Sequence, residues 1–463
     1  MGILRSLKRG GKMEENKGVQ QTSYKQILSN GNLGEKAAFV VMGAGNLANK
    51  QIIKGLLFLI SEIGFLVWFF MRGINNLRGL VTLGTNQQGW VFDETLGINV
   101  QVTGDNSMLL LIYGIATIIA LIIFILLYKT NLKSTKQLYY LRSHDLAIPT
   151  FMQDVRSLLD ERFHLTLMSI PMVGVIVFTV LPLMYMISLA FTSYDHNHLP
   201  PKSLFDWVGL ANFGNVLSGR ISGTFFPLLG WTLIWALCAT ATSFFFGVLL
   251  ALLINSKGIK GKKVFRTLFV LTMAVPQFIS LLIMQNMLHA SGPINAFLQE
   301  LQLINAPIPF LTNGLMAKIS VIVVNMWIGI PVSMLVTTGI IMNLPEDQIE
   351  AARMDGANKL QVFRYITFPQ ILFVMAPSLI QQFIGNINNF NVIYLLTGGG
   401  PLNSDFYNAG ETDLLVTWLY KLTVEVADYN IASVIGIITF VLSAVFSLFA
   451  YTRSGSYKKE GAL

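Results

Sequence analysis

EAARMDGANKLQVFRYITFP, residues 350–369, is a polar island between two long apolar runs. With Glu346 and Asp347 just ahead of it, its Glu350, Arg353, Asp355, Lys359 and Arg364 concentrate charge in a chain otherwise poor in it. Such a segment cannot lie in hydrocarbon, where charge is costly. Its start carries helix signals. Pro345 suits a first-turn position, Glu346 and Asp347 complement the positive helix end, and Gly356 can close the helix in a left-handed cap. A second short helix is expected from about Lys359 to Thr367, with Leu360, Phe363 and Ile366 on one side and Pro369 stopping it. A helix, a glycine bend and another helix describe either an amphipathic loop on a membrane surface or a surface presented to a partner.

The apolar flanks are typical of the whole chain. Of 463 residues, 53% are hydrophobic and 12% charged, against roughly 25% charged in soluble domains. This composition identifies an integral membrane protein. A crossing needs about 20 apolar residues. On that criterion helices are expected at about Gly55 to Met71, Met108 to Tyr128, Leu165 to Phe191 and Phe225 to Ile254. Four more follow at about Val264 to Leu288, Ile319 to Met342, Gln370 to Leu396 and Ile431 to Tyr451. The fold class is therefore all-α, a polytopic membrane protein of about eight transmembrane helices. Cys238 lies alone inside an apolar run, so it offers neither a disulfide nor a metal cluster.

The net charge of +8 could suggest nucleic acid, but its placement points to membrane lipid instead. Lys129, Lys133, Lys136, Arg142, Arg156 and Arg162 separate the second and third helices, and Lys257, Lys260, Lys262, Lys263 and Arg266 separate the fourth and fifth. Those loops and both termini belong in the cytoplasm, and the intervening loops, richer in Asp and Glu, face outward. Residues 350–369 then fall on the cytoplasmic side. The expected organisation is a mobile basic cytoplasmic tail over 1–50, two peripheral helices with an outer loop over 51–130 and a cytoplasmic linker over 131–162. A six-helix core over 163–452, containing the charged loop at 343–369, precedes a cytoplasmic tail over 453–463.

No catalytic constellation is present. GIKGKK at residues 258–263 lacks the spacing and the Ser or Thr of a Walker A sequence, so any nucleotide is bound by another chain. His196 with His198 is a lone pair and not a zinc pattern. In the seventh helix Gln382, Asn386 and Asn389 stand at i, i+4 and i+7, a polar stripe on an apolar helix. In the sixth, Asn325, Ile328, Gly329 and Val332 share a face, with Trp327 beside it and Pro331 able to bend the helix. Gly329 leaves room for a ligand or another backbone. The amides either bond helix to helix or face a solute. Neutral amides with aromatic neighbours suit an uncharged, polyhydroxylated solute, because they both donate and accept. Glu62, the acid within the first helix, is either a proton-relay residue or a paired one.

Glu350, Ala351, Ala352, Asp355, Gly356, Ala357, Phe363 and Pro369 together resemble the EAA loop of the membrane subunits of binding-protein-dependent ABC importers. NNFNVIYLLTGGGP at 388–401 and ETDLLVTWLYKL at 411–422 resemble the maltose and maltodextrin permeases of the MalF type. The resemblance runs from about Phe163 to the end, and over the first two helices only in layout. It implies a non-enzymatic permease subunit in the cell membrane, paired with a second permease subunit of the MalG type. Two ABC ATPase subunits would bind ATP and Mg, and an extracellular sugar-binding protein would deliver the sugar.

The resemblance also assigns roles. Glu350, Ala351, Ala352, Asp355 and Gly356 would dock as coupling helices on the ATPase, with Ala351 and Ala352 allowing close packing and Gly356 the bend. The family's sugar site falls on Asn325, Ile328, Gly329 and Val332, then on Gln382, Gly385, Asn386 and Asn389. The stacking aromatic is left open between Trp327, Phe390 and the other permease. The outer loop from Thr192 to about Thr224 is short where the Gram-negative maltose permease carries a large folded domain. Contacts with the binding protein must therefore differ. Another oligosaccharide or polyol remains open as substrate. An ion-coupled secondary carrier would have no reason for the EAA loop.

Overall fold

The computed structural model describes residues 19 and 21–453, apart from 96 and 257. Arg5, Lys8, Arg9, Lys12 and Lys17 of the basic tail, Lys257 and the C-terminal tail from 454 lie outside the described residues. Among the described residues, seven helices are long and apolar enough to cross a membrane, and a bent pair brings the number to eight when counted as one span. They are α1 (Ile52–Thr82), α2 (Ser107–Ser143), α3 (Phe163–Leu189), α4 (Ser222–Asn255), the pair α5 (Lys262–Ala274) and α6 (Gln277–Leu288), and α7 (Gly314–Met342). After the short α8 (Glu346–Met354) come α9 (Lys359–Ile387), α10 (Phe390–Thr397), α11 (Leu415–Lys421) and α12 (Tyr429–Arg453). Each expected crossing has a counterpart. Among the described residues the strands form one antiparallel hairpin, β1 (Gly89–Asp93) with β2 (Ile98–Val102), registered through Val91 opposite Val100.

Three expectations change in detail. The fifth crossing is not straight but bent by 90°. Pro276 keeps Val275 extended (φ −77°, ψ 125°), because a residue before proline is driven out of the helical region. The seventh ends at Ile387, since Asn389 accepts the Val392 N–H (3.3 Å) and starts a new helix as its cap. Pro369 does not stop a helix. A π-helical turn over Phe363–Thr367 lets Phe368 donate to the Phe363 carbonyl, and Pro369 then falls in the first turn of the segment that follows. There its missing N–H costs nothing.

The chain forms two compact units, residues 1–188 with 197–207 and residues 189–196 with 208–463. In the first, the stretch expected as a mobile tail is instead helical at Tyr24–Asn30, Leu33–Ala37 and Ala44–Ala48. Glu62 is a paired residue, its Oε2 accepting the Met42 N–H at 2.7 Å.

In the second unit α4 and α7 approach closely along small residues. A Cβ added to Gly329 would lie 2.7 Å from the Ser243 Cβ, and one added to Gly247 would lie 2.4 Å from the Ser333 Cβ. Lipid is as apolar as leucine, so helices in a bilayer associate through this kind of close packing. Trp235, Leu281, Val321, Ile387, Val392 and Leu414 fill the adjoining core. The second of the two distinctive late stretches, residues 411–422, is braced within itself by a buried ion pair, Asp413 to Lys421 at 2.6 Å. Asp413 also accepts from Thr417 Oγ1 (2.8 Å) and the Gly410 N–H (2.7 Å), which balances its charge. Its carboxylate presses on Gly399, whose φ of +81° and lack of a side chain make room for it.

Candidate functional site

A cavity of about 410 Å³ opens within the second unit between α7 and α9. Asn325, Ile328, Gly329 and Val332 line it from α7, and Gln382, Asn386 and Asn389 from α9 and its end. Helical spacing puts each set on one face, and the crossing of the two helices turns the faces toward each other. The lining carries no Lys, Arg, Asp, Glu or His.

The amides are not equivalent. Asn386 donates from Nδ2 to Thr240 Oγ1 at 2.9 Å, and its backbone carbonyl accepts from Trp235 Nε1 at 3.0 Å. Asn389 donates weakly to Asn386 Oδ1 at 3.4 Å and caps α10. Asn386 therefore does the helix-to-helix bonding that is one of the two uses open to such residues, while the bonds of Asn389 are local. The Asn325 and Gln382 side chains make no hydrogen bond with the other described residues, although Asn325 is 6% exposed. A buried amide without a partner is costly, which leaves these two groups facing the cavity with their capacity unspent.

Gly385 does not line this cavity; it is exposed and open on its Cβ side. Gly329 borders the cavity but serves chiefly as the seat of Ser243, whose fully buried Oγ has no hydrogen-bond partner. Trp327 faces a neighbouring pocket of about 290 Å³ at the α5–α6 bend. Phe390 stacks on Tyr394 at 4.7 Å and meets Tyr420 edge-on at 4.9 Å, so its ring is already engaged. Gln277 was missed by sequence reasoning. It stands at the first position after the bend and borders both pockets. The Val-Pro-Gln order inside an apolar run was the available signal.

The charged loop forms a second, separate surface. α8 begins after Pro345, which is its N-cap and not a first-turn residue, with Glu346 and Asp347 in the first turn and Arg353 in the last. Gly356 has φ +84°, a left-handed conformation that glycine adopts without strain. Asn358 and Gln361 then cap α9 reciprocally, at 2.9 and 2.8 Å. Glu350, Ala351, Asp355 and Gly356 are exposed and Ala352 is half-buried. Beside them Met354 is 88% and Leu360 72% exposed, so an apolar strip accompanies the charges. Gln370 Nε2 donates to Gln348 Oε1 at 2.9 Å and ties α8 to α9. No group of His, Cys, Asp and Glu able to hold a metal occurs among the described residues.

Residues 243–454 match the family described as binding-protein-dependent transport system inner membrane component. Over 433 residues the chain is 35% identical to the maltodextrin transport system permease protein MalC of Streptococcus pneumoniae, covering 91% of this chain and 95% of that protein. Over 424 residues it is 34% identical to the galactooligosaccharides transport system permease protein GanP of Bacillus subtilis, covering 91% and 97%. Among solved structures, a bacterial ABC transporter that imports the acidic polysaccharide alginate superposes with a TM-score of 0.52 at 24% identity, over 65% of this chain and 97% of that one. That likeness concerns the fold alone.

Proposed function

The chain belongs to the family of binding-protein-dependent transport system inner membrane components, and from that premise we propose that it forms half of a pore importing maltose and maltodextrins. It is a multi-pass, non-catalytic permease subunit of a carbohydrate ABC importer, and family membership leaves no place for an ion-coupled carrier. ATP and Mg belong to the ATPase of such an importer. In our reading the other half of the pore is a permease of the MalG type, and the basic loops put both termini and residues 343–369 in the cytoplasm. Apart from the tail, whose residues 24–30, 33–37 and 44–48 are helical, the domain organisation read from the sequence belongs to the same proposal.

The observation that carries the substrate class is the uncharged cavity with two unspent amides, Asn325 and Gln382. Sugar hydroxyls both donate and accept, as amides do. Asn386 and Asn389 complete the polar wall, with Ile328 and Gly329 shaping it. Glu350 and Asp355 are proposed to make the polar contacts with the ATPase, and Ala351, Ala352 and Gly356 the close approach and the bend. α8 and α9 then form a short covalent route from the motor to the amides, so closure of the ATPase turns the two pore halves relative to one another. A galactooligosaccharide is the second reading, because GanP is about as similar to this chain as MalC is.

The test is sugar-stimulated ATPase activity of the purified complex, compared over maltose, longer glucans and galactooligosaccharides. Each neutral hydrogen bond is worth about 1 kcal/mol. Asn325→Ala with Gln382→Ala should therefore raise the half-stimulating concentration of the preferred sugar by roughly 30-fold while basal activity holds. An unaltered sugar dependence would reduce the cavity to a packing defect. Glu350→Lys should separate the permease from its ATPase, and unchanged association would end the docking assignment.

A further inference from the structure

We infer that residues 33–49 are a re-entrant hairpin whose Phe39–Met42 tip inserts among lipid acyl chains beside α1 and α2. The tip is apolar, and Val40 is 78% and Val41 41% exposed. Its backbone N–H groups are nonetheless paired inside the protein. From Ala38 to Ala44 every N–H has a partner within the protein. Ala38 and Phe39 donate to the Gly34 and Lys36 carbonyls, Val40 and Val41 to that of Ala37, and Ala44 to that of Val41. Met42 donates to Glu62 Oε2 (2.7 Å) and Gly43 to Asn131 Oδ1 (2.9 Å). On the acceptor side, Asn131 Nδ2 donates to the Ala38 carbonyl (3.0 Å) and the Tyr128 hydroxyl to that of Phe39 (2.7 Å). An aqueous loop has no need of such satisfaction, whereas non-helical backbone in a bilayer depends on it.

The location agrees. Gly43 (φ +81°) packs on Gly55, close enough that a Cβ would meet the Gly55 carbonyl oxygen. Glu62 lies midway along the apolar run between Lys54 and Arg72. The base of the hairpin is polar. Glu35 accepts a forked bond from Arg142 (3.0 and 2.8 Å) and a third from Asn49 (3.2 Å), with exposed Lys36 and Lys50 on the shoulders. An apolar tip on a basic base matches acyl chains below anionic headgroups. Glu62 and Asn131 thereby gain a role as the groups that complete the tip's backbone.

The experiment uses the assembled transporter in vesicles, with Cys238 replaced by serine and one new cysteine at a time. Ser29→Cys, at an exposed position outside the hairpin, should react with a charged, membrane-impermeant maleimide from one side. Val40→Cys should react at least an order of magnitude more slowly from both sides. A bimane attached there through a permeant reagent should be quenched by lipids spin-labelled on their acyl chains, and Val41→Cys provides a second position. Labelling of Val40→Cys as fast as Ser29→Cys would overturn the insertion. So would protection without acyl-chain quenching, which would mean that another protein surface covers the tip.

Discussion

Replacing Gly329 by alanine asks whether this glycine serves the sugar or the bundle. A Cβ there would stand 2.2 Å from Ser243 Oγ and 2.7 Å from Ser243 Cβ. Carbon atoms settle at about 3.5–4.0 Å, so α4 and α7 must part by roughly 1 Å or the serine must turn. Ser243 is wholly buried, so turning would also have to be accommodated within the packed interior. Overpacking of this kind costs about 1–3 kcal/mol. Gly329→Ala should therefore lower the melting temperature of the detergent-purified complex. Ser243→Gly alone should cost about 1 kcal/mol, the usual penalty for glycine inside a helix. Joined to Gly329→Ala it removes the clash, so the double variant should be about as stable as Ser243→Gly alone. The cycle would then show a coupling of about 1–3 kcal/mol. Uptake measured in the same variants separates packing from recognition, since restored stability without restored uptake would mean that the sugar needs the space at Gly329. Strictly additive losses of stability would refute the proposed contact.

Lys421→Met leaves the Asp413 carboxylate buried without its cation, which should cost about 3–5 kcal/mol; adding Asp413→Asn should recover part of it in the same melting assay. His196 bonds Asp428 at 2.7 Å, and that bond holds its imidazole above the ordinary 6.5. Because the folded value is the higher one, the stabilisation is complete below about 6.5 and fades as pH rises through the raised value. The melting difference between wild type and His196→Gln should accordingly be widest in acid and close in alkali, and a gap that widens with pH would contradict it. Tyr407, pushed up to about 12 by burial and by Asp428, stays protonated throughout. Gly356→Val puts a β-branched residue at φ +84°, straining the bend by about 1–2 kcal/mol. The expected result is weaker ATPase association with little change in the melting of the helix bundle.

The crossings, the exposed charged loop and the two amide-bearing faces were legible because each depends on local pattern. Apolar run length selects a crossing, and a spacing of three or four puts Asn325 with Gly329, or Gln382 with Asn386, on one side of a helix. The glycine bend at Gly356 was legible for the same reason, since an αL conformation belongs to single residues. Pro369 misled because its effect depends on register, and the π-helical turn before it shifts that register by one residue. Gln277 stayed hidden for a related reason. A bent crossing and a straight one have the same composition, and only the 90° turn at Pro276 brings this side chain to the cavity.

Composition, charge placement and helical period were sufficient for a polytopic membrane protein carrying an exposed charged loop, which its motif then made resemble the EAA kind. They were also sufficient for the two helix faces that border the cavity. They could not say which amides remain unspent, since that depends on Thr240 and Trp235 reaching Asn386 while no other described residue reaches the side chains of Asn325 or Gln382. Nor could they say that Gly329 is occupied by Ser243, or that Glu62 and Asn131 close the backbone of an N-terminal hairpin. A hydrogen bond forms or fails within a few tenths of an ångström between residues far apart in the chain. Separations of that kind are set by packing, which the linear pattern does not encode.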